Sequence, residues 1–427
     1  LPPNHHIRTF SNGISTMSHV SGQECKDMCW ILLRLIVDLP LPSGQVTSHI
    51  IRSVHTLLDF LYLTQLPSQT TNTVAQLDSS LAWFHDNKAV FVNLGICEHF
   101  NIPKLHSLMH SSLSIALFGT MDNYNTEQTE WLHIDFTKDA YHIRKTIKQD
   151  KYPQMTAWLE CHEKLQQHTA FIKFRQQPEA KQQRSQPPIG PPGPVPCSVK
   201  MMQNPSANAV SFDDLSRKHG AVDFQDVLGD FIAQTNHPKA SAAALRTLAA
   251  DTLIPFRCVP VFYRIKYTSI IDAIHVQPEQ RDTHGHPIPS RFDTVIVNLS
   301  MAIIEVMCGE TMVAQVRIVF QIPERSIPVL FLTLTMVLPT HLTYVEWFSP
   351  IPATPDANHS LYRVSRLTGN GRHDASIIPV DSIFSSVCLF PQFGQQSREW
   401  NTFSVLELCQ SFYINPFSDR DMYLLLS

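Results

Sequence analysis

The sequence predicts an α+β fold: a helix-rich block over residues 1–175, a linker over 176–209, and a helix-led, mostly β region over 210–427. Three observations carry this reading. Apolar residues of the first block recur at helical spacing. Seven prolines lie between Pro178 and Pro196, mixed with Gln, Gly and Ser. After Pro255, short β-branched and aromatic runs alternate with turn residues, in the manner of a sandwich or barrel.

The helices follow in order. From Met28, the residues Ile31, Leu32, Leu35, Ile36 and Leu39 keep helical spacing until Pro40 and Pro42 stop the run. Ile50, Ile51, Val54, Leu57, Leu58, Leu61 and Tyr62 make a second amphipathic helix that ends before Pro67. Leu77, Leu81, Phe84, Val90 and Phe91 predict a third, closed at Gly95. Ile102-Pro103 opens a fourth, through Leu105, Leu108, Met109, Leu113 and Leu117 to Gly119. Asn125-Thr126 is an N-cap pair for a fifth helix running toward Lys145, and a sixth covers Met155–Phe174. Short connections predict that this block packs as one unit.

The proline-rich stretch cannot bury enough apolar area to offset its ordering entropy, so it reads as a disordered linker. Beyond it, one helix or two occupy Phe212–Ala250, with Asp213-Asp214 as capping residues. Strands are expected at Val259–Tyr267, Phe292–Leu299, Val313–Gln321, Thr343–Phe348, Leu361–Val364 and Ser376–Val380. The apolar run Ile327–Leu338 reads as a buried strand with its turn, and Phe403–Cys409 as a last helix or strand.

Composition narrows the function classes. The chain has 427 residues, 33 Lys+Arg against 37 Asp+Glu, a formal charge of -4, 43% apolar and 16% charged residues. That length suits two or three domains. Such weak charge excludes a coiled coil, a charged disordered tail or a histone-like protein, and argues against a strongly electrostatic nucleic-acid binder. The nine cysteines are scattered and no CxxC occurs, so no zinc ribbon is expected and the thiols suit a reducing compartment. No signal peptide is visible, and Ile327–Leu338 is shorter than the roughly 20 residues that span a bilayer. An intracellular protein without a membrane partner is expected. The chain starts at Leu1 rather than Met, which suggests a piece of a longer protein.

Three constellations bear chemistry. Glu127, Glu130 and His133 share one face of the fifth helix, with Asp135 and Lys138 nearby; acids and an imidazole so spaced suit a divalent ion, given oxygen ligands from elsewhere. A solvated amphipathic helix with first-turn acids explains the same pattern. His106 and His110 stand at zinc-compatible i,i+4 spacing with His99 close by, though HxxxH without an inner Glu also describes core-edge histidines. Arg144, Lys145, Lys148 and Lys151, followed by Lys164, Lys173 and Arg175 and flanked by Tyr141 and Trp158, could grip a phosphate backbone or form a solvated face. The aspartates Asp213, Asp214, Asp223, Asp226 and Asp230 lack the Gly and closing Glu of a calcium loop.

An ordered motif set adds a resemblance. It comprises Ser21-Gly22-Gln23-Glu24-Cys25-Lys26-Asp27-Met28, Leu57 to Tyr62, Phe84-His85-Asp86-Asn87-Lys88, and Glu98 through His106. It continues with Asn125-Thr126-Glu127 through Glu130, His133 and Lys138. With these, residues 20–175 resemble the C-terminal part of Plavaka-type transposases, DNA transposases of mushroom-forming fungi allied to the CACTA and KDZ groups. From residue 255 on, the chain looks like the β-rich domain of unknown function that often follows. The likeness there rests on Arg291 to Val295, Ala314 to Phe320, Tyr344 to Ser349, Ser376 to Val380 and Asn415 to Arg420.

The resemblance implies an RNase H-like core with a DDE triad, in which two metal ions drive in-line phosphoryl transfer on DNA. Its third acid maps to Glu130, with Glu127 in reserve; both would ligate Mg²⁺ or Mn²⁺ in the complete enzyme. Arg144, Lys145, Lys148 and Lys151 become the expected DNA contacts, and the nucleus the expected compartment. The first two acids belong on strands upstream, and no such strands precede residue 20. The apolar stretches Asn298–Met312 and Ser326–Pro339 also depart from the family pattern. The chain is therefore expected to be a transposase fragment, catalytically incomplete alone and without a cofactor of its own. The alternative is a recruited, non-catalytic module whose β domain binds a protein or chromatin partner.

Overall fold

The computed structural model of the chain describes residues 10, 13–14, 17, 20–37, 47–124, 137–138, 141, 151–176, 199–267, 273–298, 311–331, 338–369, 371–393, 399–418 and 420–426. The fold is α+β, helical toward the N-terminus and dominated by antiparallel sheets toward the C-terminus. It divides into two compact units. One comprises Leu1–Leu58, Phe84–Cys97 and Gly193–Ser427, the other Asp59–Trp83 and Glu98–Pro192.

The first helices form where the apolar spacing places them, at Gly22–Ile36 and Ser48–Thr64. A capping box opens the former: Ser21 Oγ accepts from the Glu24 N–H, and the Glu24 carboxylate accepts from the Ser21 N–H at 2.8 Å. This helix and Ser48–Leu58 share a compact unit with the strands rather than packing only with the other helices. Their contacts give the reason. Arg34 is buried and donates to Cys388 Sγ at 3.2 Å, Asn415 Nδ2 donates to the Trp30 carbonyl at 3.1 Å, and His55 meets Phe417 edge to face at 5.1 Å.

In the second unit Phe60, Leu63, Leu66, Leu77 and Leu81 are buried. The expected fourth helix is two, Pro103–Leu108 and Ser111–Phe118. Between them the His110 N–H reaches back only to Ser107 O, a tightened turn that breaks the helix before Ser111. The expected fifth helix lies almost wholly outside the described residues. The sixth runs from Lys151 to Gln176, and its residues beyond His162 are exposed.

The β-rich part is organised by one long strand, Thr311–Phe320. Along one edge it pairs antiparallel with Leu342–Trp347, which pairs in turn with Ala375–Pro379. Its other edge is shared. The first half pairs with Thr294–Asn298, and the last two residues pair with Cys258–Phe262. Ile383–Ser386 and Ala207–Ser211 extend the two branches. Further small sheets surround this one, and among the described residues no barrel closes, so the barrel-like expectation gives way to open sheets.

Other details differ from the sequence reading. Strand structure begins at Val199–Lys200 and Ala207–Ser211, inside the stretch read as linker, because pairing with Arg264–Tyr267 and Cys258–Phe262 outweighs local composition. Phe212–Ala250 holds three helices, Phe212–His219, Phe224–Asn236 and Ala242–Ala250. Of the run Ile327–Leu338, Ile327–Leu330 is a helical turn with Pro328 in its first turn rather than strand, since proline cannot donate to a ladder, and 332–337 lie outside the described residues. Val405–Leu408 settles as a short helix. Among the described residues no helix is long and apolar enough to cross a membrane.

The two faces of the long strand differ. Met312, Ala314, Val316 and Val319 join one apolar cluster with Val345, Trp347 and Ile378. On the opposite face Val313 belongs to a cluster with Phe348, Val405 and Phe412, whereas Ile318 and Phe320 belong to another with Phe224 and Tyr344. Between those two clusters, on that same face, lie Gln315 and Arg317.

Candidate functional site

Arg317 owes its position to a bulge. Val316 pairs with Val345 and Ile318 pairs with Tyr344, so Arg317 is the extra residue of the long strand. A bulge places two consecutive residues on one side and redirects the side chain. The face parity changes there: even positions line one cluster up to Val316, and Val319 lines it afterwards. Directly across the ladder Gln315 faces Glu346, which puts the Glu346 carboxylate beside both polar residues.

Two more chain segments complete the network. Arg366 follows the Arg363–Ser365 strand and pairs in an isolated bridge with Phe348. Glu407 comes from the Val405–Leu408 helix, anchored by its buried neighbours Val405 and Leu406. Arg317 donates through Nε to Glu346 at 2.9 Å and through a terminal nitrogen to Glu407 at 2.5 Å. Arg366 donates to Glu346 at 3.2 Å, to the Leu406 carbonyl at 2.6 Å, and to Gln315. Gln315 in turn donates through Nε2 to the Phe292 carbonyl at 3.1 Å. The guanidiniums lie over aromatic rings, Arg317 at 5.3 Å from Phe292 and Arg366 at 4.8 Å from Phe348.

The four charges balance, but their exposure does not. The side chains of Arg317, Arg366 and Glu346 are 6%, 0% and 4% exposed, and that of Glu407 is 39% exposed. Burial opposes the charge on Arg317, yet Glu346 and Glu407 outweigh it and raise its pKa above the ordinary value. For Arg366, burial and then repulsion from Arg317 prevail, and the pKa is pushed down to about 10. Burial alone would raise the Glu407 pKa; the attraction of Arg317 overcomes it and the carboxyl is held below its usual range. Burial, followed by Arg366, lowers the pKa of His373.

Gln315, Arg317, Glu346 and Glu407 line an open cleft of about 310 Å³, together with Lys218, His219, Arg291, Phe292, His373 and Phe403, and Arg366 lies behind its wall. His219 closes one wall with Nδ1 at 3.1 Å from the Arg317 carbonyl, and Gly220 beside it ends the Phe212–His219 helix in the left-handed region. Arg291 is tied to Asp293 at 2.9 Å, and Lys218 to Asp214 at 3.2 Å.

A divalent ion does not fit this centre. Glu346, His373 and Glu407 offer ligand atoms within 4.8 Å of one another. Both carboxylates, however, are already engaged by the two guanidiniums, and one Glu346 oxygen accepts from both arginines. A dication would have to enter against two fixed positive charges a few ångströms away.

Glu127, Glu130, His133, Arg144, Lys145 and Lys148 fall outside the described residues. Lys151 opens the Lys151–Gln176 helix, on which Lys164 pairs with Glu160 at 3.9 Å and Arg175 lies over Phe171. His106 and His110 meet edge to face at 5.2 Å, both exposed. They do not form a three-ligand group with His99; among the described residues that distinction belongs to Glu346, His373 and Glu407.

Sequence reasoning missed Gln315, Arg317, Glu346, Arg366, His373 and Glu407 as a site. One signal was available: Gln315 and Arg317 interrupt an otherwise apolar run from Met312 to Phe320, and buried polar side chains demand partners. Gln315, Arg317 and Glu346 nevertheless sit within motifs that carry the resemblance, Ala314 to Phe320 and Tyr344 to Ser349.

No curated protein and no solved structure shows significant similarity to the chain. Residues 174–367 match the family model of a domain of unknown function, DUF6830; the match takes in Arg291, Gln315, Arg317, Glu346 and Arg366, while His373 and Glu407 lie beyond it.

Proposed function

We propose that the chain is part of a Plavaka-type transposase and that its β-rich portion serves there as a recognition module rather than as the DNA-cleaving centre. The ordered motif set between Ser21 and Lys138 supports the family reading. The observation that carries the division of labour is the ion-paired state of Glu346 and Glu407. Two-metal phosphoryl transfer needs carboxylates free to hold cations, and these two are held by Arg317 and Arg366. In the complete enzyme Glu130, with Glu127 in reserve, would contribute to the Mg²⁺ or Mn²⁺ site, and Arg144, Lys145, Lys148 and Lys151 would contact DNA in the nucleus. The β-rich portion would instead engage a protein partner through its cleft.

Incubating the purified full chain with Mg²⁺ or Mn²⁺ and a DNA duplex is expected to give no strand cleavage. Cleavage that disappears in Glu130→Gln would overturn the non-catalytic reading of this chain. Recovery of a protein partner that persists after nuclease treatment supports the recognition role; recovery that nuclease abolishes counts against it.

A further inference from the structure

The cleft holds more buried positive charge than its interior acids can balance. Arg317 and Arg366 are almost completely buried, and of the two carboxylates that pair with them Glu346 is equally buried. An uncompensated guanidinium in such a wall is costly, so the site requires a second anion. Glu407 meets that requirement, but differently from Glu346. Its side chain is 39% exposed, and its carboxylate accepts from Arg317 at 2.5 Å. The backbone of its segment is fixed independently, because Arg366 grips the Leu406 carbonyl and Val405 and Leu406 are buried. The Glu407 side chain can therefore swing into solvent without moving the segment.

We propose that the cleft is a binding site for a carboxylate from an acidic peptide, which takes the place of the Glu407 side chain on Arg317. The inference rests on the recognition role proposed above and names the chemistry recognised. Planar guanidiniums match carboxylates in bidentate fashion, and the resident occupant is itself a glutamyl carboxylate. The open volume of about 310 Å³ leaves room for an incoming side chain beside Arg291, His373 and Phe403. His373 adds a ring nitrogen, Nδ1, that is buried and has no hydrogen-bond partner among the described residues. Glu407 is thus an internal competitor, and removing its charge should strengthen binding of an external carboxylate.

The experiment titrates the full-length chain and its Glu407→Gln variant with three probes: N-acetylglutamate α-amide, acetate and inorganic phosphate. Calorimetry reads affinity, and circular dichroism confirms the fold. Glu407→Gln is expected to bind the glutamyl probe about tenfold more tightly than the native chain, the scale of one charge-assisted hydrogen bond. Arg317→Lys in the Glu407→Gln background should abolish that gain. Preference for the glutamyl probe over acetate assigns a peptide source; equal affinity assigns a small free carboxylate, and either upholds a carboxylate site. Preference for phosphate, or no gain in folded Glu407→Gln, overturns the proposal. Should Glu407→Gln fail to fold, Glu407→Asp replaces it: the shorter side chain still carries charge, and a folded variant with unchanged affinity would equally overturn the idea. DNA cleavage is not read here, so this proposal and the non-catalytic reading fail separately.

Discussion

Arg317, the extra residue of a bulge in the long strand, meets Glu346 of the adjoining strand at 2.9 Å, and both side chains are buried. A buried pair of this kind adds little over a well-packed apolar pair, but losing one partner leaves the other charge stranded. Glu346 serves two arginines at once, so Glu346→Gln should lower unfolding free energy by about 3–5 kcal/mol. Glu407 reaches the same guanidinium from a partly exposed position, where water can take over part of its role, and Glu407→Gln should cost less, about 1–2 kcal/mol. Urea denaturation of the two variants checks this contrast. Equal losses would mean that exposure does not set the strength of these pairs.

Acid should weaken the fold in two steps. Burial, chiefly, lowers the pKa of His219, although the hydrogen bond to the Arg317 carbonyl opposes the shift. Its unfolded pKa is about 6.5, so between that value and the lower folded one the unfolded chain binds the extra proton. Stability is then complete above about 6.5 and declines as pH falls through the folded value. His341 and His373 are shifted in the same direction, mainly by burial. Glu407 acts in a lower window: its folded pKa is depressed, so its contribution is present above the unfolded value of about 4.3 and fades below it. Urea midpoints measured from pH 8 to pH 3 should show both declines, and His219→Asn should flatten the first. Superimposed native and His219→Asn profiles between pH 7 and 5 would contradict the assignment.

The helices and the site differ in how far the sequence reveals them. Ile50, Ile51, Val54 and Leu58 recur at helical spacing, as do Leu77, Leu81 and Phe84, and the helices form there because nearby residues alone decide which face is apolar. The Thr311–Phe320 strand is visible as an apolar run for the same reason. Its bulge is not, because the extra residue is defined only by the register against Leu342–Trp347. The cleft is harder still. Glu407 lies 90 positions from Arg317, and no spacing rule joins them. What the sequence offers is the polar interruption at Gln315 and Arg317, which announces missing partners without identifying them. The strand at Ala207–Ser211 illustrates the complementary failure: Asn208 and nearby Pro205 suggest a loop, and only pairing with Cys258–Phe262 makes it a strand.

Gly220 gives a test of the wall behind Arg317. It ends the Phe212–His219 helix at φ 78°, ψ 6°, and its N–H bonds back to Leu215 O. A Cβ there would lie 3.7 Å from the Arg317 guanidinium, an ordinary contact, so the strain of Gly220→Ala is conformational rather than steric. The expected cost is roughly 1 kcal/mol. Gly220→Asn should cost less, since asparagine tolerates the left-handed region better. Thermal unfolding of both variants checks the order; a neutral Gly220→Ala would show that the helix end relaxes away from this conformation.

Ser21 and Glu24 belong to the motif that supports the family resemblance, and they also have a purely structural task. Ser21 Oγ accepts from the Glu24 N–H, and the Glu24 carboxylate accepts from the Ser21 N–H, which satisfies two donors at the start of Gly22–Ile36. Ser21→Ala should therefore destabilise the fold by about 1 kcal/mol, whereas Ser21→Gly should cost only a few tenths of that unit. The damage should stay local, because Trp30 and Arg34 anchor the far end of the helix to Asn415 and Cys388. Hydrogen exchange is the direct measurement: the Glu24 amide should lose protection while amides in the last turn keep theirs. An unchanged unfolding midpoint together with an unchanged Glu24 exchange rate would remove the capping explanation and leave this part of the motif to function alone.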